Sequence, residues 1–496
     1  MRPRLLVPLV LTLALPASAA PGGAPVDWHD YGPSTLQKAR QEGKPLFVLL
    51  TATWCQWCHT YEEESLHTPE VAALLNSRYV PVWVDFDRRP DVAARFPGRG
   101  LPRTIILNPA GGLEATVAGY IPKSQLLANL RKTLDLIAPG EPPSEVPRQP
   151  AARPIPPELL LQTASEELQR QYDPIYHGFG REAKMPYPGV LAFLLAGSDS
   201  ERQHAHETFK AIAGDADWQK QLPGGLFDPR EGGFFRYSTR RNWGEPHSEK
   251  LLGLNAQLVS LALTLHRQTL APKSRSWAET TLRYLEGRLG TRNGEYYGSQ
   301  AADSAYYRLP PEERRKRPSP AIDRRHYAAA SAQMALALFE AEAVLNSPTY
   351  GRKARAAIDA LTRRIDPKGA VAHDWTGAEE SALRGLLEDQ AWSALALLEA
   401  WQRTRKPTYL RHAEAVLAFV ERERRAPGGY RLGEEGPIGV EANAAVALAF
   451  ARAHQVTGKA TYAQKARHAL IEGMDRNLDG GYGWLAARQL GASRGR

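Results

Sequence analysis

The sequence contains very little cysteine and methionine. Its 496 residues include two cysteines and four methionines, which excludes a framework of several disulfides. Long hydrophobic runs are also scarce, and after the N-terminal region no stretch is apolar enough to cross a bilayer. The composition is 43% hydrophobic and 24% charged, which is typical of a globular protein with hydrophobic cores and not of a disordered, collagen-like or polytopic membrane protein.

Residues 1–20 predict a signal peptide. Arg2 and Arg4 precede a short apolar run, and Ala17-Ser18-Ala19 then supplies small residues for cleavage. The run is too short to span a membrane, so we expect no stable membrane insertion. The protein is therefore expected to be exported, either to the periplasm or to the medium.

The net charge of +9 does not by itself indicate a partner. Basic residues are interspersed with acidic ones, as in the run Glu312-Glu313-Arg314-Arg315, which is typical of a solvated loop. No nucleic-acid-binding motif is present, and we expect no nucleic-acid partner.

Two regions with different patterns indicate two domains. Between residues 27 and 138, strand-like runs at 46–50, 80–86, 104–107 and 114–119 alternate with helical stretches. This alternation predicts an α/β domain with a central sheet covered by helices. Residues 139–157 are rich in proline and predict a linker.

Residues 158–490 predict an all-α domain built from repeated helical hairpins. A Thr-Tyr pair recurs at 349–350, 408–409 and 461–462, and each pair follows an alanine-rich helical stretch. Repeats of this length correspond to one hairpin each, which predicts either an open solenoid or a closed α/α toroid. Loops that contain Gly-Gly pairs, such as 232–233 and 428–429, are expected to gather at one rim.

The two cysteines form the motif Cys55-Gln56-Trp57-Cys58-His59, directly after a predicted buried strand. A cysteine at the start of a helix meets unsatisfied backbone N–H groups, which stabilise the thiolate. Cys55 would then attack a partner sulfur, and Cys58 would resolve the mixed disulfide.

Four residues near the pair are predicted to support this chemistry. Trp54 and Trp57 flank Cys55, and His59 could tune the thiolate. Pro102, directly before a predicted strand, is expected to have a cis peptide bond and to place the Leu101 backbone beside the sulfurs, where it would pair with an extended substrate.

Other interpretations of the motif remain open. C-x-x-C-H is also the attachment motif of c-type haem, for which His67 could serve as an axial ligand. A permanent disulfide would stabilise little across so short a loop, and zinc bound by Cys55, Cys58 and His59 lacks a second pair of ligands. We therefore expect no cofactor and no metal.

The motifs resemble those of the spermatogenesis-associated protein twenty family, which joins a thioredoxin-like domain to a toroid like that of six-hairpin glycosidases. The Cys motif is similar to the family's C-H-W-C-H, and residues 246–252, PHSEKLL, are similar to its P-H-F-E-K-M-L. The resemblance extends over most of the chain, in the family's order, through residues 55–66, 76–92, 176–186, 232–238, 243–258 and 297–304. It implies a thioredoxin-like fold followed by an (α/α)6-type toroid.

The sequence departs from the family at several polar positions. Ser248 replaces a Phe, Gly253-Leu254 replaces Tyr-Asp, and Ala301 replaces an Asp. In the thioredoxin-like half, Leu49 occupies a position where many thioredoxins have a buried acid. The lost polar groups weaken the case for acid chemistry in the toroid, while both sulfurs are kept.

Sugar chemistry in the toroid would need two carboxyl groups on either side of one bond. Glu249, Asp303 and Asp389 are the candidate acids. The other predicted cleft residues are Tyr237, Trp243, His247, Asn255 and Tyr297.

The sequence thus leaves three functions open. Thiol–disulfide exchange with protein thiols or disulfides, with the toroid as a substrate-binding domain, is favoured. The alternatives are a carbohydrate-processing or carbohydrate-binding toroid with an accessory thioredoxin-like domain, and a non-enzymatic chaperone or scaffold.

Overall fold

The structure, a computed structural model, describes residues 25–96, 98, 100–137, 152–216, 224–377, 379–434 and 436–492. The predicted signal peptide lies outside the described residues, as does the predicted linker up to residue 151.

Residues 25–137 form a four-stranded sheet with helices on both faces. The strand order is β2-β1-β3-β4, in which β1 and β2 are parallel and the other two pairs are antiparallel. The elements are α1 Pro33–Glu42, β1 Leu46–Thr51, α2 Gln56–Tyr61, α3 Pro69–Arg78, β2 Val80–Asp85, α4 Pro90–Ala93, β3 Arg103–Leu107, β4 Leu113–Ala118 and α5 Lys123–Leu136.

The apolar run in β1 explains why this strand is central. All six residues are buried, because alternate side chains enter the two separate cores on either side of the sheet. Phe47 and Leu49 pack on the face covered by α3 and α5, whereas Val48 and Leu50 pack on the opposite face. Leu49 is therefore a core residue, as its apolar character requires.

From residue 157 onward the chain is mainly helical. The helices are α6 Pro157–Gln171, α7 Pro188–Leu195, α8 Asp199–Ile212, α9 Leu252–Thr269, α10 Pro272–Tyr284, α11 Ser304–Arg308, α12 Pro311–Arg314, α13 Ala328–Leu345, α14 Pro348–Thr362, α15 Leu387–Thr404, α16 Pro407–Phe419, α17 Val440–Thr457, α18 Ala460–Ala469 and α19 Gly481–Ala492. Helices α2, α10 and α16 each continue into a π-helical turn, at Glu62–Leu66, Leu285–Leu289 and Val420–Arg424.

These helices close into a double ring. The inner helices α7, α9, α13, α15, α17 and α19 contact one another in that order, and α19 contacts α7. Helices α8, α10, α14, α16 and α18 pack outside the inner ring, and α6 is the outer partner of α19. Of the two predicted arrangements, the closed toroid is the one observed, and the predicted fold class is confirmed.

Short strand pairs lie before the inner helices, at one rim of the ring. The strands are β5 Tyr237–Ser238, β6 Pro246–His247, β7 Lys250–Leu251, β8 Ser299–Gln300, β9 Ile322–Asp323, β10 His326–Tyr327, β11 Asp374–Thr376, β12 Glu379–Glu380, β13 Arg425–Ala426 and β14 Gly429–Tyr430. Because β7 and β10 run directly into α9 and α13, this rim is at the N-terminal ends of the inner helices.

One expectation about hydrophobic runs was wrong. Helix α13 is long enough and apolar enough to cross a membrane, with a mean hydropathy of 1.3 over 18 residues. The helix is rich in alanine and packs between α9 and α15 in the inner ring. Most of it is buried there.

Candidate functional site at the junction of the two domains

Cys55 and Cys58 form a disulfide at the start of α2. The S–S distance is 2.04 Å, and Cys55 is the N-cap of the helix, where the Cys58 N–H donates to Cys55 Sγ at 3.2 Å. Cys55 is 5% exposed and Cys58 is fully buried. Cys55 is therefore the sulfur that a partner can reach.

The Leu101–Pro102 peptide bond is cis, as predicted. The Leu101 side chain packs against the cluster of Ala52, Trp54, Cys55 and Cys58. Leu101 also lines the same cleft as Cys55 and Trp57. Leu101, the residue before the proline, thus lies beside the cysteine cluster, and the pairing of its backbone with an extended substrate stays a prediction.

The predicted neighbours of the pair lie in different environments. Trp57 is 54% exposed at the edge of the cleft, and His59 is exposed on α2. Trp54, in contrast, is buried, and its indole Nε1–H donates to Asp87 Oδ2 at 2.5 Å. Within the described part of the chain, no group of three or more His, Cys, Asp and Glu side chains is arranged to hold a metal ion.

The toroid contacts the cysteine loop directly. The Ala302 N–H donates to the Trp54 carbonyl oxygen at 3.1 Å, and the Arg236 guanidinium lies 4.4 Å from the centre of the Trp54 ring. Leu251 of β7 packs against the cluster that contains both cysteines. The rim of the toroid therefore forms one wall of the site around the cysteine pair.

A group of acidic side chains lies behind Trp54, where β2 ends. Burial raises the pKa of Asp85, and burial together with the Asp85 carboxylate raises the pKa of Asp87 to about 7. Asp323 of the toroid adds to both shifts and accepts a hydrogen bond from the Tyr327 hydroxyl at 2.7 Å. The group is thus shared between the two domains.

His373 joins the domains beside this acidic group. Its Nε2–H donates to the Asp87 carbonyl oxygen at 2.6 Å, while its Nδ1 lies 2.7 Å from Asp389 Oδ2. Burial alone would lower the pKa of His373, but the Asp389 carboxylate outweighs it and raises the pKa to about 9. Since both ring nitrogens face acceptors, the ring is an imidazolium at neutral pH.

The cleft between the cysteine loop and the toroid rim has a volume of 1580 Å³. Its toroid wall includes three predicted residues, Tyr237, His247 and Glu249. The rings of Tyr237 and His247 stack with centroids 4.4 Å apart. The Glu249 carboxylate is buried and lies 3.3 Å from Arg236 Nη1 and 3.9 Å from His247 Nδ1.

The other predicted toroid residues have structural environments, which corrects their assignment to the cleft. Trp243 is fully buried and donates to the Tyr176 carbonyl oxygen. It packs so closely on Gly178 that a Cβ there would lie 2.6 Å from the indole ring. Asp303 caps α11 by accepting from the Tyr306 N–H at 2.8 Å.

Asn255, Asp389 and Tyr297 are also occupied by internal contacts. Asn255 is buried and bonds to both backbone groups of Phe234. Asp389 accepts from the Ala329 N–H and pairs with His373. Tyr297 stacks on the His326 ring, with centroids 5.2 Å apart.

Reasoning from the sequence missed several residues of the site. Arg236 and Ala302 lie on the toroid rim, and Asp87 and His373 are far apart in the chain. Glu388, beside Asp389, has a pKa raised to about 7 by burial and by the Asp389 carboxylate. The signal that could have found Asp87, Arg236 and Ala302 is that they lie in segments that carry the family resemblance.

Comparisons with known proteins agree with this organisation. The Thioredox_DsbH family model, described as a protein of unknown function, DUF255, matches residues 20–130. Thioredoxin 1 of Chlorobaculum tepidum is 31% identical over 81 residues, which are 16% of this chain and 79% of that protein.

Longer matches come from animal proteins. Spermatogenesis-associated protein 20 of Rattus norvegicus is 31% identical over 334 residues, and that of Homo sapiens is 31% identical over 340 residues. The matches cover 58% and 59% of this chain but 39% and 40% of the rat and human proteins. This chain thus spans about two fifths of the length of these relatives.

Solved structures match the toroid at low sequence identity. A sugar epimerase from a ruminal bacterium has a TM-score of 0.51 at 11% identity, covering 63% of this chain and 85% of the epimerase. A GH76 alpha-mannanase of Bacteroides thetaiotaomicron has a TM-score of 0.51 at 11% identity, covering 68% of this chain and 97% of the mannanase. These likenesses establish the fold of the toroid.

Fold and site together define a thioredoxin-like protein whose Cys-x-x-Cys loop faces the rim of a six-hairpin-glycosidase-like toroid. The chain is similar to spermatogenesis-associated protein 20 over 58% of its length, as its motifs predicted.

Proposed function

We propose that the protein carries out thiol–disulfide exchange through Cys55 and Cys58, with the toroid as the second wall of the substrate cleft. The observation that carries the proposal is the position of the Cys55–Cys58 disulfide at the start of α2, with Cys55 lining the cleft. The export signal predicted at residues 1–20 would deliver the protein to a compartment where disulfides persist.

The proposed reaction moves two electrons between the pair and a substrate. In the reduced protein, the Cys55 thiolate attacks a substrate disulfide, and one substrate sulfur leaves as thiolate. Cys58 then loses its proton and attacks Cys55 Sγ, which releases the second substrate thiolate and reforms the internal disulfide. The same steps run in reverse when a substrate dithiol reduces the pair.

The toroid residues favour a binding wall over a second active site. Hydrolysis of a glycoside needs one protonated and one ionised carboxyl group that are both free to face the sugar. Asp389 is held by His373, Asp303 caps a helix, and Glu249 is paired with Arg236. The stacked Tyr237–His247 pair is better suited to contact a substrate than to cleave it.

The proposal is tested with Ellman's reagent, a small aromatic disulfide. We expect the reduced wild-type protein to release two thionitrobenzoate ions per chain and to end with an internal disulfide. Cys58→Ser should release one and keep the other as a mixed disulfide on Cys55. Cys55→Ser should react at least about tenfold more slowly, because the Cys58 thiol is buried.

Rapid reaction of Cys55→Ser, or a wild-type product that lacks the internal disulfide by mass spectrometry, would contradict the proposal. Circular dichroism of both variants provides the control for folding.

A further inference from the structure

The toroid contacts the chain on both sides of Cys55. The Ala302 N–H bonds to the Trp54 carbonyl oxygen, directly before Cys55. The Ser304 hydroxyl donates to Gln56 Oε1 at 3.3 Å, directly after it. Cys55 itself is 5% exposed, and the toroid contacts the chain on both sides of it, so a folded surface that approaches the sulfur has to pass the rim of the toroid.

The remaining route to Cys55 is the cleft. At 1580 Å³ it exceeds the volume of about 300–1,000 Å³ that is usual for small-molecule sites. Its walls run from Trp57 and Leu101 on one side to Tyr237 and His247 on the other. The cleft is therefore large enough to hold a length of polypeptide.

The backbone of Leu101 supplies a place for such a chain. Leu101 lines the cleft, and among the hydrogen bonds of the described residues none involves the Leu101 N–H or carbonyl group. An extended segment that passes Leu101 could pair with these groups as an added strand, with its cysteine beside Cys55.

We infer that the substrates are cysteines carried on extended, unfolded polypeptide segments, and that the Ala302–Ser304 loop of the toroid excludes cysteines on folded surfaces. This inference rests on the proposed function and specifies its substrate class. The chemistry is the exchange described above. After each turn, a second dithiol reduces the Cys55–Cys58 disulfide again, or, in the reverse direction, a second disulfide oxidises the two thiols again.

Access to Cys55 is tested with two maleimides of different size. The Cys58→Ser variant carries Cys55 as its one thiol, and it is labelled with N-ethylmaleimide or with a 5-kDa polyethylene glycol maleimide. The matched control carries Ser77→Cys, on the exposed side of α3, together with Cys55→Ser and Cys58→Ser. We expect the ratio of large-reagent to small-reagent rates to be at least about tenfold lower at Cys55 than at position 77.

Substrate class is tested with one cysteine in two settings. The thionitrobenzoate mixed disulfide is made on an unstructured peptide and on the surface of a folded domain, and the reduced wild-type protein is mixed with each. We expect the peptide to react at least about tenfold faster. Ser304→Trp, which narrows the cleft beside Gln56, should slow the peptide severalfold, whereas Ser77→Trp should not.

Equal labelling by both maleimides, equal rates with the peptide and the folded domain, or an unchanged peptide rate in Ser304→Trp would overturn the inference. If labelling is size-selective but no disulfide of any kind reacts, the proposed exchange function fails, and the restricted access of Cys55 stands apart from it.

Discussion

Asp87 shows how a single side chain takes on unusual properties where two domains meet. It is largely buried, accepts a hydrogen bond from Trp54 Nε1 and lies near Asp85. Burial, which disfavours the ionised form, is the main reason that its pKa rises from 3.8 to about 7. The folded protein therefore holds a proton on Asp87 over a pH range in which the unfolded chain does not.

This difference predicts how stability changes with pH. An acid whose pKa is raised on folding makes the folded state less stable as pH increases from about 4 through 7. The loss is no more than about 3 kcal/mol, because solvent still reaches part of the side chain. We expect Asp87→Asn to reduce the fall in Tm between pH 4 and pH 8, measured by differential scanning calorimetry.

Asp135→Asn, at an exposed position of α5, is the control for this experiment and should keep the wild-type dependence on pH. An unchanged dependence in Asp87→Asn would show that this carboxyl does not hold the proton.

At the scale of elements, the toroid repeats one set of hydrogen bonds between an asparagine side chain and the backbone of a nearby loop. The Asn255 side chain, in the first turn of α9, bonds to the N–H and carbonyl groups of Phe234 and to the Leu251 carbonyl oxygen. Asn443, in the first turn of α17, makes the same three bonds to Tyr430 and Gly439. Each asparagine fastens a Gly-Gly-aromatic loop to an inner helix.

We expect Asn255→Leu and Asn443→Leu each to destabilise the toroid by about 3 kcal/mol, because each leaves several buried backbone groups without a partner. Thermal unfolding followed by circular dichroism would measure the loss. Asn129→Leu, on the exposed face of α5, should change the free energy of unfolding by less than about 0.5 kcal/mol. Equal Tm values for all three variants would contradict the structural role of the two asparagines.

The sequence predicted elements better than it predicted the surroundings of side chains. The apolar run at 46–50 and the alanine-rich run at 328–345 correspond closely to β1 and α13, because a continuous pattern determines one buried element. Asn255 and Trp243 were expected in the cleft. They lie in the core, since a polar atom can be buried once it finds a backbone partner, and spacing alone does not reveal that partner.

At the scale of the whole molecule, His373 is a polar link between the domains, since its ring donates to the Asp87 carbonyl oxygen. The free energy it contributes is fully present below pH 6.5, where the unfolded chain also carries the proton, and it is lost as pH rises through about 9. The shift from 6.5 to about 9 corresponds to roughly 3 kcal/mol.

We therefore expect the Tm of the wild-type protein to fall between pH 7 and pH 10, and the fall to be smaller in His373→Gln, which cannot carry the charge. His67→Gln, at an exposed position of the thioredoxin-like domain, is the matched control. A fall of equal size in His373→Gln would exclude the imidazolium as the link.

No pattern within one domain could have predicted this junction. A backbone hydrogen bond joins Ala302 to Trp54, and a hydrogen bond from the His373 ring to the Asp87 carbonyl oxygen joins the second pair. The residues of each pair are more than 200 positions apart in the chain. Such contacts depend on how two finished surfaces fit together. The sequence identified the sulfurs and both folds, but not that one domain would contact the other's cysteine loop.

The way the ring closes has a consequence for the order of maturation. Helix α6 is the first helix of the toroid, yet its partner is α19, at the far end of the described chain. A nascent chain therefore completes its sheet and its cysteine loop long before the ring can form. During that interval the cysteine loop lacks its contacts with the toroid. Cys55 is therefore more accessible to oxidants and to other thiols than it is in the folded protein.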